Sequence, residues 1–331
     1  NTNSAGGRTQ QFILYGNFSN DGIVDFDFDA NDYVYLTLSG SANTVISGTG
    51  SFALRNVQLS KSSVNYYVDV TAVNFAPAVG TFSAFTGKWI HENSSTFDVN
   101  PSSTFQINPA VVIEVDLGVV KFASSAAQLT LQGSLIVNGG SVYVGSTAGT
   151  AGIRTDQSGS VIASLEVKSG SLTVYGGITY KTGSGGKPFV FTMEGGSALI
   201  HSGSTGNNSE LLKVTDVSGS EFNMSGGTIV FQKPNLSGGS SIDFDVCGTS
   251  GLVNVTGGEL QFGNASTASG ASFNFKPYAS ETLPGMVVSG PSGTGSSLCP
   301  SNASNNTDTM RLMYLQINAG CTFDHRSNSG A

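Results

Sequence analysis

The chain has 331 residues, 44 of them glycine, with only 11% charged residues and a net charge of −8. Nine prolines rule out a collagen-like repeat, the scarcity of charge does not fit an ordinary α/β enzyme, and 38% hydrophobic residues supply too much core-forming surface for a disordered Gly/Ser polymer. The 14 Lys and Arg are dispersed among 22 Asp and Glu, which removes the electrostatic footprint of a nucleic-acid binder, and no run of 18 apolar residues is present to cross a membrane as a helix.

The chain opens NTNSAGG, with neither an initiator Met nor a signal peptide, and reads as a mature or excised segment. Residues 1–88 alternate as strands do, in VDFDFDA, YVYLTLSG and SGTGSFALRNVQLS, and no helical period survives two turns. They lack a clear glycine hinge. We expect an N-terminal region of irregular rungs, or a separate β region, up to a boundary near Thr86–Trp89, followed by a repetitive domain over 89–331.

The densest acidic element, SNDGIVDFDFDAND, lies in this first region. An extended strand would place Asp25, Asp27 and Asp29 on one side and Phe26 and Phe28 on the other. Ca²⁺ takes 6–8 oxygen ligands, so the three carboxylates are a candidate Ca²⁺ site. Same-face positions about 6–7 Å apart are too wide for one ion without a turn, so a solvated strand face competes with the metal reading.

Beyond Trp89, FDVNPSSTFQI reads as two strands around an Asn-Pro-Ser-Ser corner, where proline is better placed than within a strand. A ten-residue motif then recurs: LIVNGGSVYV from Leu135, LEVKSGSLTV from Leu165, FTMEGGSALI from Phe191, FNMSGGTIVF from Phe222 and VNVTGGELQF from Val253. The first hinge position falls at Gly139, Ser169, Gly195, Gly226 and Gly257, in steps of 30, 26, 31 and 31 residues. Two short strands hinged at glycine cannot bury a face alone, so repetition at this period predicts stacked coils. Polar excursions such as GSTAGTAGIRTDQSGS and HSGSTGNNSE are expected to project as loops that could carry a recognition surface.

At the C-terminal side, Gly285–Thr309 is dense in Gly, Ser, Pro and Asn and reads as a long loop. LQINAG, from Leu315, starts the motif once more near the chain end, so the array reads as truncated there. Of Cys247, Cys299 and Cys321, the last two stand 22 residues apart, a spacing that could bring them to adjacent coils as a disulfide; buried thiols are the alternative.

Signs of catalysis are sparse. Asp216 with Asp243 and Glu114 with Glu166 are the carboxylate pairs considered for polysaccharide chemistry, but no acid–base cluster recurs at one rung position. His91, His201 and His325 have no metal-ligand spacing. No catalytic residue is assigned, and no cofactor beyond the Ca²⁺ candidate.

FNMSGGTIVFQKPN, VNVTGGELQFGN, SGTGSFALRNVQLSK and KWIHENSSTFDVNPSSTFQINP together resemble the repetitive β-helical regions of large surface proteins from Bacteroidota. The resemblance implies an extracellular or cell-surface adhesin exported by the type IX secretion system. It also makes Asp308-Thr309-Met310 a candidate O-glycosylation site, on Thr309. The sorting domain that normally closes such proteins has no likeness in the residues after Phe323, so either that end has been lost or the family assignment needs revision.

The expected fold is all-β, a right-handed parallel β-helix of ten to twelve rungs. The expected role is a non-catalytic stalk or adhesin that meets a polysaccharide, a surface or another subunit through its open ends. A polysaccharide-degrading β-helix and an end-to-end filament subunit are the alternatives.

Overall fold

The structure is a computed structural model, which describes residues 9–29, 31–75, 82–99, 104–122, 128–146, 151–156, 161–180, 188–201, 210–235, 242–246, 250–276, 281–291, 295–300 and 310–324. Among these every regular element is a strand, and the strands form one 13-stranded sheet, two of nine and two of two. All strand pairings are parallel and link elements one coil apart, which makes the fold a parallel β-helix. One coil runs through Ser134–Val137 on a first face, Ser141–Val144 on a second and Ile153–Thr155 on a third. The chain then returns as Ala163–Val167, with Leu165 stacked on Leu135 and Val167 on Val137.

Alternation within the short strands builds the core. In Ser141–Val144 and Ser171–Val174 the second and fourth residues are buried and the other two face outward. Because the register is kept, like side chains stack along the axis: Leu135, Leu165, Phe191, Phe222 and Val253 form one column. The Phe191 and Phe222 rings lie 5.7 Å apart and nearly parallel. Outward columns bond in the same way, with Ser134 and Ser164 hydroxyls 2.7 Å apart and Ser141 and Ser171 hydroxyls 2.8 Å apart.

The glycine hinge is the corner between the first and second faces. Gly196, the second glycine of its pair, has φ of 66°, and a Cβ there would also fall within 3.0 Å of the Gly170 carbonyl one coil earlier. Only glycine meets both demands. The first hinge position is less strict. Ser169 occupies it in one coil and donates its hydroxyl to the Asn138 carbonyl at 2.6 Å. Amide-to-carbonyl bonds continue through the corners, from Ser171 to Gly140 and from Ser197 to Gly170, both at 3.0 Å.

The first face has strands at Phe18–Ser19, Thr44–Ser47, Tyr67–Val70, the second half of Phe82–His91, Val111–Val115, Ser134–Val137, Ala163–Val167, Phe189–Met193, Glu221–Met224 and Leu252–Val255. Thr282–Leu283 and Arg311–Leu312 pair beyond them. At about 4.8 Å per coil these make a stack of about 55 Å.

Before residue 89 the corner after Thr44–Ser47 keeps a left-handed glycine, Gly48 with φ of 107°, parted from Gly50 by Thr49, and asparagines at neighbouring corners add side-chain hydrogen bonds. Asn20 accepts the Gly22 amide through its side chain and donates to the Ser51 carbonyl, both at 2.9 Å. Asn93, almost fully buried, accepts the Ser95 amide at 2.9 Å and donates to the Val70 carbonyl at 3.2 Å. Phe82–His91 runs through the expected boundary: its first half pairs with Asn56–Lys61, its second with Tyr67–Val70 and Val111–Val115. One cluster of buried apolar side chains extends from Leu36 to Leu298.

Two sequence expectations change. The excursion after Val144 contains Ile153–Thr155, a third-face strand, and Gly285–Thr309 contains Gly285–Val288 and Ser297–Pro300, strands of the second and third faces. The Asn-Pro-Ser-Ser corner joins second-face Thr96–Asp98 to third-face Phe105–Ile107, not the two faces that the glycine hinges join; its residues 100–103 lie outside the described set.

Candidate functional site

The three aspartates near the N-terminus do not share a strand face. The strand Ile23–Asp25 stops at Asp25, whose carboxylate accepts the Asp27 amide at 3.2 Å. Asp27 pairs with Arg55 at 2.5 Å, and the guanidinium lies over the Tyr33 ring. Asp29 accepts the amides of Asn31 and Asp32 at 2.7 and 2.8 Å, bonds that hold its carboxyl below the usual range. Short aspartate side chains have bonded to their own backbone and turned the chain where alternation alone predicts a strand. Among the described residues no group of three or more His, Cys, Asp or Glu is arranged to hold a metal ion.

No disulfide joins Cys299 to Cys321. Thr322 stacks on Ser297 and Phe323 on Leu298, so Cys321 falls one step before this paired segment and Cys299 one step after it. A coil-length spacing was necessary for a bond, and the register defeats it. Cys247, Thr309 and His325 lie outside the described residues. Glu114 and Glu166 share an outward column but are separated by Ile136. Asp216 accepts the Ser250 and Gly251 amides, whereas Asp243 accepts those of Asn235 and Asn274, so they hold different corners.

A carboxylate row that the motifs did not reveal lies beside the first-to-second corner, built by Asp69, Glu92, Glu114 and Asp116 from successive coils. Burial and the neighbouring Glu92 push the Asp69 carboxyl up to about 6. Burial also raises Asp116, against the Asn138 amide that donates to it at 3.1 Å, and Glu114 and Glu92 raise it further. Lys88 neutralises Glu114 in an ion pair. Asp69, Glu92 and the Glu114–Asp116 pair stand about one coil apart in sequence, so only the stack unites them. Chemically Asp69, raised to about 6, can take up a proton in mildly acidic solution.

The second face carries a groove of about 440 Å³, lined by Thr96, Val119, Lys121, Tyr143, Gly145, Ser146 and Tyr175. Lys121 and Tyr143 are register partners on adjacent coils, in strands whose second and fourth side chains enter the core. Tyr175 follows the strand Ser171–Val174, and its amide donates to the Val144 carbonyl at 2.9 Å. His201, in the same column one coil on, stacks on Tyr175 with ring centres 4.3 Å apart and planes 8° apart. On the other side of Tyr175 the column holds Gly145, which brings no side chain. A glycine, a fixed aromatic ring and a lysine thus make a shelf on an otherwise Ser- and Thr-rich face. The residue after each ten-residue copy, Gly145, Tyr175, His201, Gln232 and Gly263, holds the signal for this column.

Asp243 is 1% exposed, and burial pushes its carboxyl up to about 7 although the Asn274 and Asn235 amides oppose the shift. A carboxyl raised from 3.8 binds its proton more tightly folded than unfolded, so its contribution is full below about pH 4 and is lost as pH rises towards 7. We expect thermal stability to rise by up to a few kcal/mol between pH 8 and pH 5. Thermal unfolding monitored by circular dichroism should show that rise, reduced in Asp243→Asn; a steady loss of stability on acidification in both proteins contradicts it.

No family model, no curated protein and no solved structure matches this chain.

Proposed function

We propose that this chain is a rigid segment of an extracellular or cell-surface adhesin, a non-catalytic stalk whose second face meets a polysaccharide or other surface ligand. The observation that carries the reading is the groove with its stacked Tyr175 and His201 on the flank of an in-register stack. A β-helix supplies reach and stiffness, and aromatic shelves beside hydroxyl-bearing side chains suit sugar rings, which have one apolar face and a polar rim. Scarce, dispersed cations speak for a partner other than nucleic acid. The likeness of the glycine-cornered rungs to Bacteroidota surface proteins supports export by the type IX route.

A second reading, a polysaccharide lyase or hydrolase, is favoured by the carboxylate row, since carboxyls raised by burial and by their carboxylate neighbours, as Asp69 and Asp116 are, suit general acid–base chemistry. A third, end-to-end association, is favoured by apolar side chains exposed on the first and last described coils, such as Phe12 and Ile13 against Leu315 and Ile317.

A glycan array combined with a depolymerisation assay separates the first two. Binding without turnover is expected. Turnover abolished by Glu92→Gln would replace the adhesin reading with the enzyme, and light scattering showing concentration-dependent polymers would favour the filament.

A further inference from the structure

We infer that Asn138-Gly139 is a self-modification site, at which the Gly139 amide nitrogen attacks the side-chain amide of Asn138 and Asp116 protonates the departing ammonia, leaving aspartate or isoaspartate in the corner. It is independent of any ligand on the second face.

Three observations carry it. First, Asn138-Gly139 is the only Asn-Gly pair among the 331 residues. The attack closes a five-membered ring through the nitrogen of the following residue, and glycine alone brings no side chain to obstruct it. Gly139 is exposed at its corner.

Second, the nucleophile is free. In three of the other four copies the first hinge amide donates to a strand carbonyl one coil earlier: Ser169 to Val137 at 3.4 Å, Gly195 to Val167 at 3.5 Å and Gly257 to Met224 at 3.3 Å. At this corner neither glycine is left-handed, and the Val115 carbonyl takes the Asn138 and Gly140 amides, at 2.9 and 3.4 Å. Among the described residues nothing accepts the Gly139 amide. Gly226 is free as well, but it follows Ser225, which has no amide to attack.

Third, the leaving nitrogen is held by acids. Nδ2 of Asn138 donates to Oδ1 of Asp116 at 3.1 Å and to Oε1 of Glu114 at 3.4 Å, both on the preceding coil. Glu114 is paired with Lys88. Burial holds the Asp116 carboxyl above its usual range, and Glu114 and Glu92 push the same way. Asp116 is therefore the carboxyl placed to give a proton to the nitrogen it touches.

The step balances with water as the one co-reactant. The Gly139 nitrogen bonds to Cγ of Asn138 as the Cγ–Nδ2 bond breaks; Asp116 gives Nδ2 the proton with which it leaves as ammonia, and the Gly139 proton, passed through water, restores Asp116. Water then opens the ring at the side-chain carbonyl to give aspartate, or at the main-chain carbonyl to give isoaspartate, with one more carbon in the backbone. Either product loses the amide that donated to Glu114 and Asp116 and adds a third carboxylate to the corner.

Incubating the intact folded chain at physiological temperature and neutral pH, and following the peptide that carries residue 138 by mass spectrometry with chromatographic resolution of isoaspartate, tests this. The expected result is a gain of about 1 Da at residue 138, at least tenfold faster than at any other asparagine. It should slow by at least about fivefold in Asp116→Asn and vanish in Asn138→Gln, whose longer side chain cannot close the same ring. Circular dichroism of each variant confirms the fold, and Asp116→Ser tests the same contact should Asp116→Asn fail to fold. An Asn138 that stays intact in the folded chain while the same chain in urea is converted overturns the proposal, as does conversion at the wild-type rate in folded Asp116 variants.

Discussion

Gly196→Ala is expected to destabilise the protein by about 3 kcal/mol, the combined cost of a left-handed backbone in a residue with a Cβ and of displacing a neighbouring carbonyl. Gly195→Ser, one residue earlier, should cost less, about 1–2 kcal/mol, because its backbone is not left-handed and only the Lys168 carbonyl has to shift. The asymmetry is the informative part. Gly196 has positive φ and its added Cβ would sit on the Gly170 carbonyl, whereas the Cβ at Gly195 would meet the Lys168 carbonyl at 2.7 Å. The equivalent of Gly195 one coil earlier is already Ser169, whose hydroxyl bonds to the carbonyl beneath it. Serine at 195 can repeat that bond once the Lys168 carbonyl has shifted to admit its Cβ. Chemical denaturation of the two variants checks this: equal losses would mean that the corner is not held by its left-handed second glycine.

The second large effect concerns Trp89. Its indole is fully buried, with ring centres 4.8 Å from Phe82, 5.4 Å from Phe97 and 5.9 Å from Phe75. Trp89→Ala should cost about 3–5 kcal/mol through the cavity it leaves. Trp89→Phe should cost much less, because it keeps a ring in the stack and removes an indole N–H that has no hydrogen-bond partner. The neighbours of Trp89 come from both sides of residue 88, so the loss should spread in both directions. Hydrogen exchange should show weakened protection in Asn56–Lys61 and in Val111–Val115 alike. Weakening confined to one side would indicate two cores where the structure has one.

What the sequence disclosed follows the strength of each local signal. The hinge columns were legible because glycine answers a backbone demand that few other residues meet, and the flanking four-residue strands alternate cleanly. The third face was not. Its strands, such as Ile153–Thr155 and Leu212–Val214, are three residues long, too short to establish a period of two among polar neighbours. The coils before residue 89 looked irregular because Asn20 holds one corner by side-chain hydrogen bonds, and at the next the left-handed Gly48 is parted from Gly50 by Thr49, so no glycine pair is spelled out. Asp25, Asp27 and Asp29 alternate with aromatics yet turn the chain, since aspartate competes for its own backbone.

The site residues were less legible for a different reason. Lys121, Tyr143 and Tyr175 come from three coils, and so do Asp69, Glu92 and Asp116, so neither group is a motif along the chain. Each becomes visible only once the register is known. The same dependence defeats the cysteine pairing, where a suitable separation in sequence met an unsuitable phase in the stack.

Crosslinking tests the stacking most directly. Ser141 and Ser171 are register partners with touching hydroxyls, while Ser197 lies one coil further on. With cysteines at 141 and 171, mild oxidation should give an intramolecular disulfide, mapped by peptide mass spectrometry, whereas cysteines at 141 and 197 should give none. Bonding between 141 and 197 as readily as between 141 and 171, or no bond in either protein, would contradict the parallel β-helix and every assignment that depends on its register.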